Sequence, residues 1–356
     1  MSDIGLSTAK FITPSSAWDN YLKLLSKFGL NDIYFDHRYV SLNIKAGSAS
    51  QAEAFVYEES GDIFFMAYIR SPILNELGFW DFETAYGYSG PIASSDDKIF
   101  LQQAWNAFAS MAKQRKIVVG LIRFHPLLET DRFSKHGEID VFYECDTVWL
   151  DCRRSLSDIL KDYPKKLLQR LRRSEREGVL VKKADNVSAI YEFQEIYLSR
   201  MENLTVRDEY NFDESYFKAI SELDSEQWSV YLAYSQDGKV IGGCLLLFSN
   251  KFCHYHLSGS LNKYFKLSPN DMLRHTVIKD MLDSDIEAIH FGGGRTSEDN
   301  DSLLSFKLKF SKQTCKFKMG SILMDPNKYE SICRKWETAN PSKHDEFNGF
   351  LLKYRF

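Results

Sequence analysis

The sequence lacks the short motifs that identify several common kinds of catalytic site. Its six cysteines form no C-x-x-C pair, and no cysteine–histidine spacing suits zinc. It has no Walker phosphate loop, no G-x-G-x-x-G fingerprint and no G-x-S-x-G nucleophile elbow. We therefore expect no metal and no P-loop, dinucleotide-binding or serine-hydrolase site. Reduced cysteines in a cytoplasm are the expected state.

Long apolar runs and an excess of one charge are also missing. No apolar run approaches the ~20 residues needed to span a bilayer. The N-terminal segment has no basic region followed by an apolar core, so it does not resemble a signal peptide. These features predict a cytoplasmic protein with at most peripheral membrane contact. A balance of 45 Lys and Arg against 49 Asp and Glu argues against DNA binding.

The chain is long enough, and contains enough apolar residues, to form two domains. It contains 356 residues, of which 44% are hydrophobic and 14% aromatic. Helices are predicted over residues 15–28, 99–114, 189–198, 213–223, 303–310 and 329–336. Strands are predicted over residues 54–58, 63–69, 117–124, 141–150, 178–183, 228–234, 239–248, 252–257, 286–291, 315–324 and 350–354.

The stretch over residues 252–310 is the most informative part of the chain. A strand ending in HYHLSGS is predicted to stop at residues 258–260, where serine and glycine interrupt it. Ser268 and Pro269 then indicate a helix start, since serine suits the N-cap and proline the first helical position. Apolar residues at helical spacing follow, and a second strand leads to a glycine triplet. Units of this kind place ligand crevices at strand ends.

A helix that starts beside such a crevice offers free backbone N–H groups and the positive end of its dipole. Phosphate groups bind well there. We therefore predict a phosphate-bearing ligand along this strand, loop and helix. The predicted contacts are Leu257, Ser258, Gly259, Lys266, Leu267, Ser268, Asn270 and Asp271.

Two histidines in the strand are candidate catalytic residues. His254 and His256 are two positions apart, so they share a face of the sheet. Imidazole titrates near neutral pH, and either ring is a candidate general base. The alternative is that both rings lie in or near the core, where neighbouring residues complete their hydrogen bonds.

The segment YGYSGP, from Tyr86 to Pro91, is rich in aromatic rings and glycine. One interpretation is a strand and a turn with its rings in the core. The other is the wall of a binding site, in which Tyr86 and Tyr88 face a sugar ring and Gly90 allows close approach.

A basic helix is predicted over residues 165–177, after the helix-breaking Pro164. It is either a solvated helix anchored by leucines or a cationic surface for a phosphorylated acceptor, a nucleotide or an RNA. The charged loop over residues 200–212 is a lid candidate.

Four stretches occur in an order that resembles Fem-type proteins. They are YGYSGP, LLQRLRRSEREGVLV, HYHLSGS and SLLSFKLKF. The Fem family includes the aminoacyltransferases that build peptidoglycan cross-bridges, and relatives described as N-acyltransferases. The resemblance implies an α/β (α+β) fold of two tandem GNAT-like (acyl-CoA N-acyltransferase) domains. Each would be a mixed, mainly antiparallel sheet flanked by helices.

The implied domains are residues 1–150 and residues 151–326, with the donor site in the second. The tail over residues 327–356 is expected to pack on the first. The resemblance places the acceptor between the domains, at Tyr86, Tyr88, Gly90, Arg295 and Lys307. Lys307 matches the lysine of the family's F-K-x-x-F segment, while His290 stands where many members carry aspartate.

The implied function is transfer of an acyl or aminoacyl group, by direct attack, onto an amine of a sugar, nucleotide sugar or cell-wall or polysaccharide precursor. The expected donor is acetyl-CoA or another acyl-CoA. No glycine-rich coenzyme A loop lies between Gly259 and Pro269, so aminoacyl-tRNA stays possible. The negative net charge and the absent coiled-coil insertion disfavour tRNA. The alternatives are a catalytically degenerate module that binds a polysaccharide precursor, and an interaction protein without a small-molecule site.

Overall fold

The structure is a computed structural model that describes residues 7–45, 47–184, 186–202, 212–294 and 301–356. The chain forms two compact units. Unit 1 comprises Met1–Glu144 and Phe317–Phe356, and unit 2 comprises Cys145–Lys316. None of the helices in these described stretches is long and apolar enough to cross a membrane.

Helices and strands are interspersed along the chain. The strands are β1 (Thr8–Ile12), β2 (Gln51–Glu59), β3 (Asp62–Pro72), β4 (Trp80–Glu83), β5 (Pro91–Ala93), β6 (Ile117–Arg123), β7 (Asp140–Asp151), β8 (Leu180–Ala184), β9 (Trp228–Tyr234), β10 (Val240–Phe248), β11 (Phe252–Ser260), β12 (Ala288–Gly293) and β13 (Gln313–Leu323). The helices are α1 (Ser16–Ser26), α2 (His37–Leu42), α3 (Lys98–Gln114), α4 (Leu156–Asp162), α5 (Lys165–Arg176), α6 (Val187–Glu202), α7 (Glu214–Ser221), α8 (Pro269–Leu282), α9 (Ser302–Lys307), α10 (Pro326–Ala339) and α11 (His344–Phe347).

Five strands of each unit follow the same order, whereas the sixth comes last in the chain in unit 1 (β13) and first in unit 2 (β7). In unit 1 the order is β1-β2-β3-β4-β6-β13, with β5 beside β3, and only β4 and β6 pair in parallel. In unit 2 the order is β8-β9-β10-β11-β12-β7, and only β11 and β12 pair in parallel. The predicted fold class, a mixed and mainly antiparallel sheet flanked by helices and present twice, is confirmed.

Aromatic side chains fill the core of unit 1. Phe108 of α3 lies at its centre, with ring centroids 5.1 Å from Phe55, 5.5 Å from Phe82 and 5.8 Å from Trp105. Such edge-on contacts add to the apolar area that these rings bury. The aromatic richness of the sequence is therefore used largely for packing in this unit.

In unit 2 the core lies between the sheet and the helices α5 and α8. The apolar residues that periodicity assigned to α8, Leu273, Val277 and Ile278 among them, are fully buried there. Helix α5 starts directly after Pro164, as predicted, and buries Leu167 and Leu171 against the same core.

Two strand predictions were wrong, and one N-cap prediction was confirmed in its position only. Strand β11 does not stop at residue 258, because Ser258 and Gly259 pair with β10 and continue the ladder to Ser260. Ser268 occupies the N-cap of α8, but its backbone is left-handed, with φ of 50°, and its side chain makes no capping bond. The last residues form no strand; a 3₁₀ helix spans Lys353–Arg355.

That final turn presents two side chains to β4. The Tyr354 hydroxyl donates to Asp81 over 2.7 Å, and the Arg355 guanidinium binds both Asp81 and Glu83. Although burial alone would raise it, the guanidinium groups of Arg355 and Arg123 lower the pKa of Glu83 to about 2. This cluster ties the end of the chain to the centre of the unit 1 sheet.

Candidate active site

Strands β11 and β12 separate in the middle of the unit 2 sheet. Their parallel pairing covers only three positions and ends with His254 opposite His290. Beyond that point β11 pairs only with β10, and β12 pairs only with β7. Each strand also carries a register shift just past the last shared pair, at His256 in β11 and at Phe291 in β12. Bulges bend strands, so these irregularities accompany the opening.

A lysine amine lies at the end of β12. Lys307 is the last residue of α9, and its amine donates to the carbonyl oxygen of Gly293 over 2.7 Å. Burial, and secondly the positive charge of Arg274, lower the pKa of Lys307 to about 7. At neutral pH the amine is therefore present in both its charged and its neutral form.

The second cation, Arg274, was not predicted from the sequence. It projects from α8, and its guanidinium carbon lies 4.4 Å from the ring centroid of Tyr255 on β11 and 5.5 Å from that of Phe291 on β12. The signal for it is an arginine on the apolar stripe of a helix, since Val277 and Ile278 follow three and four positions later. A charged residue at such a position is usually kept for a reason other than packing.

The glycine triplet is explained by its neighbours. Gly292 has a φ of 75°, which strongly favours glycine. A Cβ on Gly293 would lie 2.7 Å from the sulfur of Cys145, and a Cβ on Gly294 would lie 2.6 Å from Oδ1 of Asp301. The triplet thus permits close packing around the end of β12.

The two candidate catalytic histidines have different surroundings. The Tyr216 hydroxyl lies 2.7 Å from Nε2 of His256. Burial, with a smaller effect of His254, lowers the pKa of His256 to about 3, so its imidazole is neutral at physiological pH and is a weak base. His254 is buried, with its ring centroid 5.6 Å from that of His290. The catalytic role of either residue stays a prediction.

The basic helix α5 holds the loop that precedes α8. Arg173 donates to the carbonyl of Lys266, Ser174 donates to that of Leu267 over 2.6 Å, and Arg170 binds Asp271 at 2.5 Å. Four predicted ligand contacts, Lys266, Leu267, Ser268 and Asp271, therefore already interact with α5. The carboxylate of Asp271 also lies in the first turn of α8, where it offsets the positive end of the dipole.

The remaining predicted contacts lie along β11 and at the start of α8. Leu257, Ser258 and Gly259 are paired with β10, and the side-chain amide of Asn270 donates to the Ser260 hydroxyl over 3.0 Å. Arg295 and most of the lid candidate, residues 203–211, lie outside the described residues.

With this geometry in place, the chain was compared with known proteins. The sequence model of the acetyltransferase (GNAT) domain matches residues 161–300, from the end of α4 to just beyond β12. Residues 161–300, which make up most of unit 2, are a GNAT acetyltransferase domain. The chain is accordingly an N-acyltransferase of the GNAT fold. No curated protein sequence matches it.

Solved structures share the fold over most of the chain. A FemX crystal structure is 12% identical, with a TM-score of 0.70, and the match covers 91% of this chain and 99% of that one. The C-terminal domain of a putative lysylphosphatidylglycerol synthetase from Agrobacterium fabrum is 15% identical, with a TM-score of 0.57 and coverages of 90% and 96%. A tandem GNAT protein from the clavulanic acid biosynthesis pathway is 9% identical, with a TM-score of 0.53 and coverages of 90% and 100%. These likenesses confirm the predicted fold of two tandem GNAT-like domains.

In unit 1, the other GNAT-like domain, the YGYSGP residues are packed among their neighbours. The Tyr86 carbonyl accepts a hydrogen bond from the Tyr39 hydroxyl over 3.0 Å. The ring centroid of Tyr88 lies 5.6 Å from that of Tyr34 and 5.1 Å from that of Phe317. A Cβ on Gly90 would lie 2.6 Å from the Thr130 hydroxyl oxygen. These contacts give the motif a packing role in unit 1, and its role in binding an acceptor stays a prediction.

Gly87 supplies a stability test for this motif. Its φ is 100°, and an added Cβ would lie 2.2 Å from the ring of Tyr34. Gly87→Ala is expected to lower the free energy of unfolding by roughly 2–4 kcal/mol, because backbone strain and overpacking add. Urea denaturation measures the change. The control is Gly61→Ala, where φ is 91° but no atom lies within 4 Å, so only the strain applies. Equal losses in both variants would contradict the packing role of Gly87.

Proposed function

We propose that the chain transfers an acyl or aminoacyl group onto the amine of a sugar, nucleotide sugar or cell-wall or polysaccharide precursor. The observation that carries the proposal is the Lys307 amine, held at the end of β12 by the carbonyl of Gly293, a residue of the segment that matches the GNAT acetyltransferase domain. Its charged form is suited to a phosphate oxygen of an acceptor. The acceptor residues of this proposal are Tyr86, Tyr88, Gly90, Arg295 and Lys307.

Direct attack by an amine needs a deprotonated acceptor and a stabilised oxyanion. His256 and His254 are the proposed catalytic residues, and His256 is kept neutral at the pH of the cell. Because its pKa is about 3, it takes up a proton far less readily than an ordinary histidine. The proposal therefore relies mainly on binding and orientation, with a minor contribution from proton transfer.

The proposed donor is acetyl-CoA or another acyl-CoA, with aminoacyl-tRNA as the alternative. The residues around the start of α8 fit a donor's phosphates in part. Lys266 and Arg173 supply positive charge at this loop, whereas Asp271 supplies a negative charge in the first turn of α8. The cytoplasmic location inferred from the sequence stays a prediction.

A binding module without turnover is the second candidate function. Two observations favour it. The pKa of His256 is low, and the loop carbonyls and Asp271 already bind side chains of helix α5. Such a module would recognise the same polysaccharide precursor.

Thermal melting with ligands, followed by a transfer assay, tests the proposal. Acetyl-CoA and free coenzyme A are added separately at millimolar concentration, and a ligand that binds only the folded protein raises the melting temperature. A saturable rise with acetyl-CoA, and acetylation of an amino sugar or nucleotide amino sugar detected by mass spectrometry, is the expected result. A rise without transfer to any amine would favour the binding module. No rise with either compound would exclude the acyl-CoA donor and leave aminoacyl-tRNA as the one to test.

A further inference from the structure

Arg274 is a buried cation with an incomplete set of partners. The residue is 2% exposed, and its Nε and Nη1 atoms are buried without a hydrogen-bond partner among the described residues. Its guanidinium carbon lies within 5.5 Å of four ring centroids. The rings are those of Tyr255, Phe291, Phe306 and Phe310. Ring faces attract a cation, but they do not replace the hydrogen bonds that its N–H groups lose on leaving water.

The acid one turn before Arg274 and the acid beside Lys307 are both bound to other groups. Asp271, one turn earlier on α8, forms its ion pair with Arg170 of α5 at 2.5 Å. Asp301, on the Lys307 side, accepts the backbone N–H of Leu304 over 2.7 Å as the N-cap of α9. Arg274 makes no ion pair with any acid among residues 7–45, 47–184, 186–202, 212–294 and 301–356. An arginine left in this condition costs stability, so its retention requires another explanation.

The position of Arg274 indicates what that explanation is. Tyr255 and Phe291 are the first residues after the last shared pair of β11 and β12, and their ring centroids are 6.0 Å apart. The guanidinium therefore lies beside the opening between the two strands. Phe306, whose ring centroid is 4.7 Å from the guanidinium carbon, is the chain neighbour of Lys307. Two cations thus converge on one end of the opening.

We propose that Arg274 and Lys307 together bind one oxyanion group, a carboxylate or a phosphate, of the ligand that enters this opening. Arg274, a protonated Lys307 and Asp301 carry a net charge of one positive, which a single negative charge balances. Guanidinium N–H groups suit both carboxylate and phosphate oxygens. The inference deepens the proposed function, and it rests on that function for the nature of the whole ligand. Its test needs only inorganic and simple organic anions, so it can fail independently of acyl transfer.

The test is thermal melting of the full chain at pH 6.5, where most of Lys307 is protonated. Sodium phosphate and sodium acetate are titrated separately against sodium chloride at equal ionic strength. We expect phosphate, acetate or both to raise the melting temperature of the wild type more than chloride does. The anion with the larger effect shows whether the bound group is a phosphate or a carboxylate. Arg274→Met should weaken that binding at least about fivefold. Without anion, this variant should melt higher than the wild type, because an unpaired buried charge is removed.

Two further variants keep the result interpretable. Arg172→Met removes an exposed arginine of α5 and should leave the anion effect unchanged. Arg274→Lys keeps the charge but loses the planar fork, so its anion affinity should fall between those of the wild type and Arg274→Met. The proposal is overturned if phosphate and acetate act no differently from chloride on the wild type. It is also overturned if Arg274→Met melts lower and keeps the anion effect, which would assign Arg274 to packing. If Arg274→Met does not fold, unchanged anion binding in Arg274→Lys would overturn it.

Discussion

Replacing Lys307 by methionine is expected to lower acyl transfer by about 100-fold or more. The substitution keeps the length of the side chain but removes the amine that is held by the Gly293 carbonyl at the end of β12. Truncation of one partner of a buried, hydrogen-bonded charge pair costs about 2–5 kcal/mol in binding, which is roughly 30- to 5,000-fold. Steady-state kinetics with the donor and acceptor found in the transfer assay provide the measurement. Lys312→Met, which removes an exposed lysine five positions later, should retain wild-type turnover.

The pH dependence distinguishes a charge role of Lys307 from a purely structural one. The pKa of Lys307 is about 7, so the charged fraction falls as the pH rises through neutrality. If the charge binds a phosphate of the acceptor, KM should rise between pH 6 and pH 8 in the wild type. Lys307→Arg, which stays charged, should lose that inflection. The same inflection in both proteins would contradict the assignment.

The lowered pKa of Lys307 should also make the stability of the folded protein depend on pH. Because the folded pKa of Lys307 lies below its ordinary value of 10.5, the unfolded chain binds the extra proton between about pH 7 and pH 10. The free-energy cost of burying the charged amine is fully present below pH 7, and it disappears as the pH approaches 10.5. Lys307→Met should therefore raise the melting temperature at pH 6 more than at pH 9. A gain that does not depend on pH would show that burial does not shift the lysine pKa.

The largest stability effect is expected at the C-terminal end of unit 1. Arg355→Met should lower the free energy of unfolding by roughly 3–5 kcal/mol, because it leaves the buried carboxylate of Asp81 without its cation. Asp81 is 1% exposed, and the Arg355 guanidinium binds it at 2.5 Å and also binds Glu83. Urea denaturation at pH 7 measures the loss.

Arg153→Met is the matched control for this cluster. Arg153 also binds an aspartate through two nitrogens, at 2.8 and 2.9 Å from Asp151, but its side chain is 71% exposed. An exposed pair of this kind contributes little, so the control should unfold like the wild type. If Arg355→Met also unfolds like the wild type, the cluster at Asp81 does not hold the tail.

The local elements could be predicted from the sequence because their signals are local. The hairpin of β2 and β3 follows from two apolar runs joined by Ser60 and Gly61, both of which adopt positive φ. The helix α8 follows from apolar spacing and from Pro269 at its first position. The order of four short motifs was then enough to predict tandem GNAT-like domains.

The properties of the candidate site depended on the tertiary structure. Arg170 meets Asp271 across 101 positions, so the part that the basic helix plays in holding the start of α8 cannot be seen from its charge pattern. The same holds for His256, whose titration is set by burial, and for Arg274, whose missing partners appear only when the helices pack. The final turn was missed because Tyr354 and Arg355 are directed by Asp81, 273 and 274 positions earlier.

The sequence by itself determined most of the helices and strands, and the resemblance of four motifs predicted a tandem GNAT-type transferase. Periodicity and turn chemistry act between near neighbours, so they can be read from the sequence alone. Only the tertiary structure decided that β11 continues past its serines, that Lys307 has a lowered pKa, and that Arg274 lies at the opening between β11 and β12. Burial and charge proximity are set by residues distant in the chain, and desolvation acts on them only after the chain has folded.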